Sequence, residues 1–239
     1  VSKLKALNPH IKTVLYMWDS IANKKNSDKL LSVFDRTLTF DPQDKTVFPE
    51  VEFLPLFFVP EFSAQPNNCA QVQYSVSFIG TVHSDRYKLV KKIVSQFKGE
   101  SNSPYLFFYC PSKFLYYLKK LFTKEFDGVS VSEVNFSPLS KNEVFELLSL
   151  SNIVIDIEHP IQRGLTMRTI EMLGSGRKLV TTNSEVFNYD FYDESNICVV
   201  DRNNPIVPKD FLNSEYSPID QNVVAKYSLS SWLDAIFKF

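Results

Sequence analysis

Short apolar runs alternate with longer amphipathic runs along most of this chain, and that alternation limits its fold more than any other feature. The runs YSVSFIGT (74–81), NIVIDIE (152–158) and RKLVTTN (177–183) are largely apolar and have the length of buried strands. Segments between them, such as DRYKLVKKIVSQF (85–97) and KNEVFELLSLS (141–151), carry apolar residues at helical spacing. The alternation predicts an α/β fold, a doubly wound parallel sheet with helices on both faces.

This pattern divides the chain unevenly. Residues 74–228 hold enough strands and helices for a complete Rossmann-like domain, and residues 229–239 predict a closing helix. The proline- and asparagine-rich stretch at 61–73 predicts a linker. Residues 1–60 supply only two or three strands, so we interpret them as the C-terminal part of a second Rossmann-like domain.

Within that first part, TVLYMWDS (13–20), RTLTFDPQD (36–44) and VEFLPLF (51–57) are the predicted strands. The segment SDKLLSVF between the first two predicts a helix with Ser27 as its N-cap. Farther along, VSVSEVNFSPLS (129–140) predicts one more strand with its exit loop.

Composition excludes some classes of protein. Hydrophobic residues make up 44% of the 239, which is enough for a sizeable core. The 26 basic and 27 acidic side chains leave a net charge of -1, whereas a nucleic-acid-binding surface normally has a basic excess. No apolar run approaches the roughly 20 residues of a membrane-spanning helix, and we expect a cytoplasmic protein. The widely spaced Cys69, Cys110 and Cys198 predict free thiols.

The stretch RGLTMRTIEMLGSGRKLVTTN (163–183) contains most of the residues that indicate a ligand site. In an open parallel sheet, ligands bind at the carboxyl ends of the strands, and NIVIDIE leads the chain to that edge. We expect a helix to begin near Gly164 or Leu165, where free backbone N–H groups suit a phosphate. Thr166 adds a hydroxyl to this end, and Arg163 and Arg168 add positive charge.

Glu171 lies about one and a half turns into the predicted helix, too deep for an acid that only stabilises the helix dipole. A carboxylate there can accept two hydrogen bonds from a vicinal diol such as that of a ribose. Gly174 and Gly176 let the helix end close to the following strand.

The layout of GLTMRTIEMLGSGRKLVT resembles the donor-domain motif of GT-B glycosyltransferases, in particular the bacterial capsule and lipopolysaccharide branches. The resemblance implies that Gly164 forms the turn and that Glu171 holds the ribose of a nucleotide-sugar donor. Backbone amides at the helix start, including that of Leu165, would hold the diphosphate. Arg163 stands where many members carry a second glutamate, so retention or inversion of the anomeric centre stays open.

The same resemblance extends to two loops. In SFIGTVHSDRY, the exit loop of the first donor-domain strand would approach the donor phosphates through Gly80, Thr81, His83 and Arg86. In NFSPLSKNEV, the nucleobase would lie beside Ser137, Pro138 and Leu139.

Two residues are candidates for catalysis. His159 follows a predicted strand at its carboxyl end, although a lone histidine before a proline is more often a loop residue. Asp19 ends the first strand and would face an interdomain cleft as an acceptor contact. In the family, the general base usually comes from the first domain.

The resemblance implies glycosyl transfer from a nucleotide-sugar donor to a glycan or lipid-linked glycan acceptor, without a metal or other cofactor and without nucleic acid. It allows peripheral association with the inner face of the cell membrane. Two alternatives stay open: a nucleotide-sugar epimerase of the same architecture, and a non-catalytic nucleotide- or glycan-binding module. A flavodoxin-like domain fits less well, because its phosphate loop needs a denser Ser/Thr/Gly run after the first strand.

Overall fold

The structure is a computed structural model that describes residues 1–24, 26–63, 72–83, 85–99, 101–160 and 162–239. Within these ranges the strands are β1 (Val14–Met17), β2 (Arg36–Thr39), β3 (Glu52–Phe53), β4 (Tyr74–Thr81), β5 (Tyr105–Tyr109), β6 (Val134–Asn135), β7 (Ser151–Asp156), β8 (Lys178–Thr181) and β9 (Ile197–Val199). The α-helices are α1 (Ser2–Leu7), α2 (Pro42–Val47), α3 (Arg86–Val94), α4 (Lys113–Phe122), α5 (Lys141–Ser149), α6 (Met167–Ser175), α7 (Lys209–Asn213), α8 (Gln221–Lys226) and α9 (Leu229–Ile236). Short 3-10 turns cover Ile21–Asn23, Asp28–Val33, Pro60–Phe62, Ser95–Phe97, Lys124–Phe126, Val131–Glu133 and Ser184–Asn188.

Six strands form one fully parallel sheet in the order β6-β5-β4-β7-β8-β9. The chain builds the sheet outward from β4 in one direction, then returns to β7 and builds in the other direction. Strand order therefore reverses between β4 and β7, as in the doubly wound dinucleotide-binding fold. The predicted α/β fold class is confirmed.

Both faces of this sheet are covered, because its central strands are apolar on both sides. Along β7, Ile153 and Ile155 face a core that includes α3 and Tyr116 of α4. Val154 points the other way, into a core with residues of α5 and α6. Successive side chains of a strand point to opposite faces of the sheet, so the residues of β7 contribute to both cores.

A second parallel sheet, in the order β1-β2-β3, forms the first part of the chain. It has a small core of its own around Met17, Leu31 and Val51. Phe40 and Phe58 instead join the core beside α6, so the two sheets share apolar packing. Of the predicted linker at 61–73, residues 64–71 lie outside the described residues, and the domain boundaries stay a prediction.

Two predicted segments of the first part were wrong. The strand predicted for 36–44 ends at Thr39, and α2 follows because Asp41 accepts a hydrogen bond from the Gln43 amide and Pro42 starts the helix. Ser27 caps no helix, since its hydroxyl donates to the carbonyl oxygen of Ile21 at 2.9 Å. The segment after it is a 3-10 turn.

The strand predicted for 129–140 is mostly irregular. Only Val134–Asn135 pairs with the sheet, opposite Phe108 and Tyr109 of β5. A 3-10 turn precedes the pairing. Cys110 and Cys198 are buried free thiols as predicted, and Cys69 lies outside the described residues.

The closing helix α9 lies against the first sheet. The Trp232 ring packs on Tyr16 and Phe57, with ring centroids 4.9 and 4.6 Å apart. Arg36 of β2 donates to the carbonyl oxygen of Ala235 at 2.7 Å. The chain thus returns to its first part at its end.

The two passages between the sheets are hydrogen-bonded to each other. The amide of Phe58, on the outgoing passage, donates to the Tyr227 carbonyl at 2.9 Å. The Leu229 amide, on the returning passage, donates to the Phe58 carbonyl at 2.9 Å. The two segments run parallel where they meet.

Candidate functional site

The carboxyl ends of β4 and β7 form the crevice in which ligands of doubly wound folds bind. β4 ends at Thr81 and β7 ends at Asp156, and the two strands pair directly. The loops that leave them carry the predicted residues His83 and His159.

Arg86 joins these two strand ends. It is the first residue of α3, and its Nε donates to the Ile157 carbonyl at 2.8 Å. Its Nη1 donates to the hydroxyl of Thr81 at 3.1 Å. Burial lowers the pKa of Arg86, whereas the nearby negative charges of Asp156 and Glu158 act to raise it. No carboxylate of the described residues lies within ion-pair distance, so a cation without a direct counter-charge lies in the crevice.

Arg202, just after β9, is a site residue that sequence reasoning missed. It contacts Asp85 Oδ1 at 2.7 Å and Glu158 Oε1 at 2.6 Å, and it also donates to the Glu158 carbonyl at 2.9 Å. Thr182 donates its hydroxyl to the other oxygen of Glu158. Arg202 therefore fixes the exit loops of β4, β7 and β8 together. Its position at a strand's carboxyl end was the available sequence signal.

The two histidines of the crevice face each other, with ring centroids 5.5 Å apart. Burial lowers the pKa of His83 to about 4, and the charges of Arg86 and His159 act in the same direction. His83 is therefore neutral at physiological pH and can both donate and accept a hydrogen bond. His159 is partly buried.

Helix α6 begins at Met167 rather than near Gly164 or Leu165. Thr166 is the N-cap and accepts a hydrogen bond from the Thr169 amide. Its hydroxyl donates to the buried carboxylate of Asp156 at 2.5 Å, and the Thr169 hydroxyl donates to the same oxygen at 2.8 Å. The later start follows from this cap, and the Thr166 hydroxyl binds β7.

Burial raises the pKa of Asp156, while the two threonine hydroxyls oppose the shift. This carboxylate links the end of β7 to the start of α6. Its contacts set the direction in which the free amides at the helix start point.

Gly164 lies against the first sheet. A Cβ at Gly164 would come within 2.6 Å of the Phe40 ring and 2.8 Å of the Phe40 carbonyl oxygen. The neighbouring Arg163 is exposed, and its amide lies 3.4 Å from Asp41 Oδ2. Asn183 donates to the Arg163 carbonyl at 3.0 Å. The side chain of Leu165 is buried in the core, which leaves only its backbone for a ligand.

Glu171 and Arg168 form a largely buried ion pair, with Nη1 and Oε2 2.9 Å apart. The two atoms are not aligned as a hydrogen bond, and neither has a hydrogen-bonding partner among the described residues. Burial raises the pKa of Glu171, and the charge of Arg168 opposes that shift. Oε2 is therefore occupied by the ion pair and closed to solvent, while the Glu171 side chain as a whole stays 15% exposed.

The remaining predicted residues lie farther from the β4–β7 crevice. Ser137, Pro138 and Leu139 form the loop between edge strand β6 and α5, and the first two are exposed. Ser140 and Glu143 fix the end of this loop through a capping box. Asp19 follows β1 and pairs with Lys24 at 2.8 Å.

A cavity of about 730 Å³ lies at the opposite edge of the six-stranded sheet. Its lining includes Phe62, Phe145, Leu173 and Arg177, at the C-terminal end of α6. None of the residues predicted to contact a donor lines it.

In the described ranges, no three or more His, Cys, Asp or Glu side chains are grouped so as to hold a metal ion. The helices of the same ranges are all too short or too polar to cross a bilayer.

No known family and no curated protein matches the sequence. Solved structures do match the fold. HepE from Anabaena in complex with UDP and glucose superposes with a TM-score of 0.64 at 10% identity, over 98% of this chain and 73% of HepE. A glycosyltransferase from Rickettsia africae gives 0.57 at 11% identity, over 98% of this chain and 71% of that one. AviGT4, a glycosyltransferase involved in avilamycin A biosynthesis, gives 0.58 at 9% identity, over 98% of this chain and 75% of AviGT4. The chain thus shares the GT-B fold of these structures, with parallel sheets flanked by helices.

Proposed function

We propose that this chain carries the donor site of a GT-B glycosyltransferase and moves a sugar from a nucleotide-sugar to an acceptor hydroxyl. The observation that carries the proposal is the Glu171 carboxylate, which is largely buried, is paired with Arg168 at 2.9 Å and keeps 15% of its side chain exposed. A ribose diol would donate to the accessible part of this carboxylate.

Charge in the crevice supports a diphosphate nearby. Arg86 has no direct counter-ion among the described residues, and the start of α6 offers free backbone amides at the positive end of the helix dipole. Gly80 and Thr81 lie at the end of β4, beside Arg86. We assign the donor phosphates to these groups, with Arg163, Gly164, Leu165 and Thr166 on the α6 side and the nucleobase beside Ser137, Pro138 and Leu139.

In the proposed reaction, an acceptor oxygen forms a bond to the anomeric carbon while the bond from that carbon to the diphosphate breaks. The acceptor's proton passes to a base, for which His159 and Asp19 are the candidates. The developing charge on the leaving diphosphate would be stabilised by Arg86, Arg168 and the helix start, without a bound metal. The protein contributes by orienting the donor and the acceptor and by stabilising the charge of the leaving diphosphate.

HepE holds UDP and glucose in its structure, which makes UDP and UDP-glucose the first probes. From the resemblance of the motif we extend the proposal to a surface-glycan acceptor, such as capsule or lipopolysaccharide. Such an acceptor is often lipid-linked, so we propose that the protein works in the cytoplasm at the inner face of the cell membrane.

Thermal shifts with UDP, GDP, CMP, dTDP and their sugars test the donor site. A nucleotide at a hundred times its dissociation constant should stabilise the protein by roughly 2.7 kcal/mol. Glu171→Gln should lose that shift, while the matched helical variant Glu146→Gln, at an exposed position, should keep it. The proposal fails if no nucleotide stabilises the parent protein.

Product analysis separates the enzyme classes. Incubation of the bound nucleotide-sugar with lipid-linked glycan extracts should give labelled glycan. Release of an epimerised free sugar without acceptor would point to the epimerase alternative. Binding without turnover of any donor would favour the non-catalytic module.

A further inference from the structure

Helix α4 presents its apolar residues outward. Phe114, Leu121 and Phe122 are 77%, 76% and 73% exposed, and Tyr117 and Leu118 are exposed as well. By contrast, Tyr116 on the opposite side is 1% exposed and packs on Phe126. We call the five exposed residues the α4 face. A helix that covers a sheet normally has the reverse pattern, with its apolar side on the core.

The α4 face is continuous, and lysines border it on both sides. With about 3.6 residues per turn, its five side chains span an arc of roughly 140°. Lys113 and Lys120 lie next to one border of that arc, and Lys119 lies next to the other. The segment from Ser112 to Lys124 contains four lysines and no acidic residue.

The lysine side chains lie against the protein surface beside the arc. Lys120 donates to the Tyr116 hydroxyl at 3.0 Å and to the Val129 carbonyl at 2.8 Å. Lys119 pairs with Glu125 at 3.0 Å. Lys113 lies 5.9 Å from the Phe136 ring centroid. Positive charge therefore lies along the border at Lys113 and Lys120, while Glu125 offsets the charge of Lys119 at the other border.

This combination fits one occupant best. The cores of protein–protein interfaces are depleted in lysine, and monomers rarely expose large contiguous apolar patches. A helix in the plane of a membrane surface instead has large apolar and aromatic side chains on one side and lysines along its borders. Anionic headgroups would meet the lysines while the acyl boundary receives the apolar arc.

We propose that the α4 face docks this chain on an anionic lipid bilayer, with Phe114, Leu121 and Phe122 inserted at the headgroup boundary. The proposal rests on the membrane association put forward above and names the surface responsible. It does not depend on donor binding, because α4 covers the outer part of the six-stranded sheet and contains none of the predicted donor contacts.

Flotation with lipid vesicles tests the docking surface. The parent protein should float with phosphatidylcholine vesicles that contain about 30 mol% phosphatidylglycerol, should float poorly with phosphatidylcholine alone, and should detach as salt rises. Leu121→Ser/Phe122→Ser should bind the anionic vesicles at least about tenfold more weakly. The matched variant Ile206→Ser/Phe237→Ser, which also changes two exposed apolar residues, should bind like the parent.

Lys113→Gln/Lys124→Gln should weaken binding to anionic vesicles while leaving the weak binding to neutral ones unchanged. The proposal is overturned if the parent binds neither the anionic nor the neutral vesicles. It is equally overturned if the Leu121→Ser/Phe122→Ser variant binds as the parent does. It is also overturned if the parent is a dimer that this variant dissociates and no vesicle binds, since the face would then join two copies. Nucleotide thermal shifts on the same samples report the donor site separately.

Discussion

The space beside Gly164 is filled by the first sheet. The Phe40 ring and its carbonyl oxygen occupy the volume that a Cβ would need. Gly164 is therefore a contact point between the two sheets as well as a part of the loop before α6. Its backbone is held further by Asn183, which donates to the Gly164 carbonyl at 3.3 Å.

We predict that Gly164→Ala lowers the free energy of unfolding by about 1–3 kcal/mol, because one contact is to backbone and cannot move aside easily. Urea unfolding measures the change. Ser184→Ala, at an exposed position next to Asn183, is the control and should stay within about 0.5 kcal/mol of the parent. An unchanged midpoint for Gly164→Ala would mean that Phe40 is not packed against this residue.

His83 gives the protein a sensitivity to acid. Its pKa is lowered in the folded state, chiefly by burial, so the unfolded chain binds the proton more tightly. Stability from the neutral imidazole is present above about pH 6.5 and is lost as the pH falls toward about 4. We predict that from about pH 7 to about pH 5 the parent loses on the order of 1 kcal/mol more than His83→Gln.

Urea unfolding at the two pH values measures this difference. His10→Gln, which changes an exposed histidine, should follow the parent. Equal acid sensitivity of the parent and His83→Gln would show that the His83 imidazole is not desolvated.

At the scale of elements, the join between β7 and α6 depends on one buried carboxylate. Asp156 receives the hydroxyls of Thr166 and Thr169, and these bonds hold the helix start at the end of the strand. At the other end of α6, Gly176 adopts the left-handed conformation with φ 59°, which suits a glycine C-cap.

We predict that Thr169→Val lowers the free energy of unfolding by about 1–3 kcal/mol near pH 7, because Asp156 loses a donor while it stays buried. The loss should shrink at lower pH, because the pKa of Asp156 is already raised by burial and its protonated form needs fewer donors. Chemical unfolding at both pH values checks this. Thr46→Val, at an exposed threonine, should change stability little at either pH, and a pH-independent loss in Thr169→Val would contradict the role given to Asp156.

Apolar runs were enough to predict the strands at the centre of the six-stranded sheet. β4 and β7 are buried on both sides, so apolar residues predominate in them and most of their polar residues are small. The segment 129–140 has similar residues but lies at the sheet edge, where only two residues pair. Its structure is set by tertiary contacts that local pattern does not contain. Short helices such as α2 and α7 have too few residues for a helical period of apolar residues to be recognised in the sequence.

The position of the candidate site is a prediction from the sequence, whereas its contacts come from the structure. The carboxyl ends of the strands predicted a crevice, and the Glu171 motif was identified from its resemblance to the GT-B donor-domain motif. The ion pair between Arg202 and Glu158 joins residues 44 apart in the chain, and nothing local relates them. The partner of Gly164, Phe40, directly follows a strand of the other sheet. Such contacts depend on the order of strands, which the sequence pattern alone does not determine.

At the scale of the whole molecule, α9 holds the first sheet. The Trp232 ring lies between Tyr16, Trp18 and Phe57, and Arg36 binds the carbonyl oxygens at the helix end. These contacts are specific to the first part of the chain. The six-stranded sheet depends on them less, because of these aromatic residues only the partly buried Tyr16 packs against one of its cores.

We therefore predict that Trp232→Ala speeds amide hydrogen exchange in β1 and β2 much more than in β7 and β8. With the ring partly exposed, we expect a loss of about 2 kcal/mol for opening of the first sheet. Exchange followed by mass spectrometry measures both regions in one sample. Leu233→Ala, at the exposed neighbouring position, is the control. Uniform acceleration in both sheets would mean that the molecule unfolds as one unit.

The paired passages at Phe58 and at Tyr227–Leu229 also determine how the two sheets can move. Two backbone segments that are hydrogen-bonded side by side define a single hinge axis. Such a hinge permits bending of the two sheets toward each other but resists twisting. Rotation about that axis would change the angle between the two sheets and leave the two hydrogen bonds between the passages intact. Sliding of one sheet past the other would break both. We expect the relative motion of the two halves to have one dominant degree of freedom, the hinge angle. A ligand that contacts both halves would therefore fix the angle between the sheets and would not shift one sheet along the other.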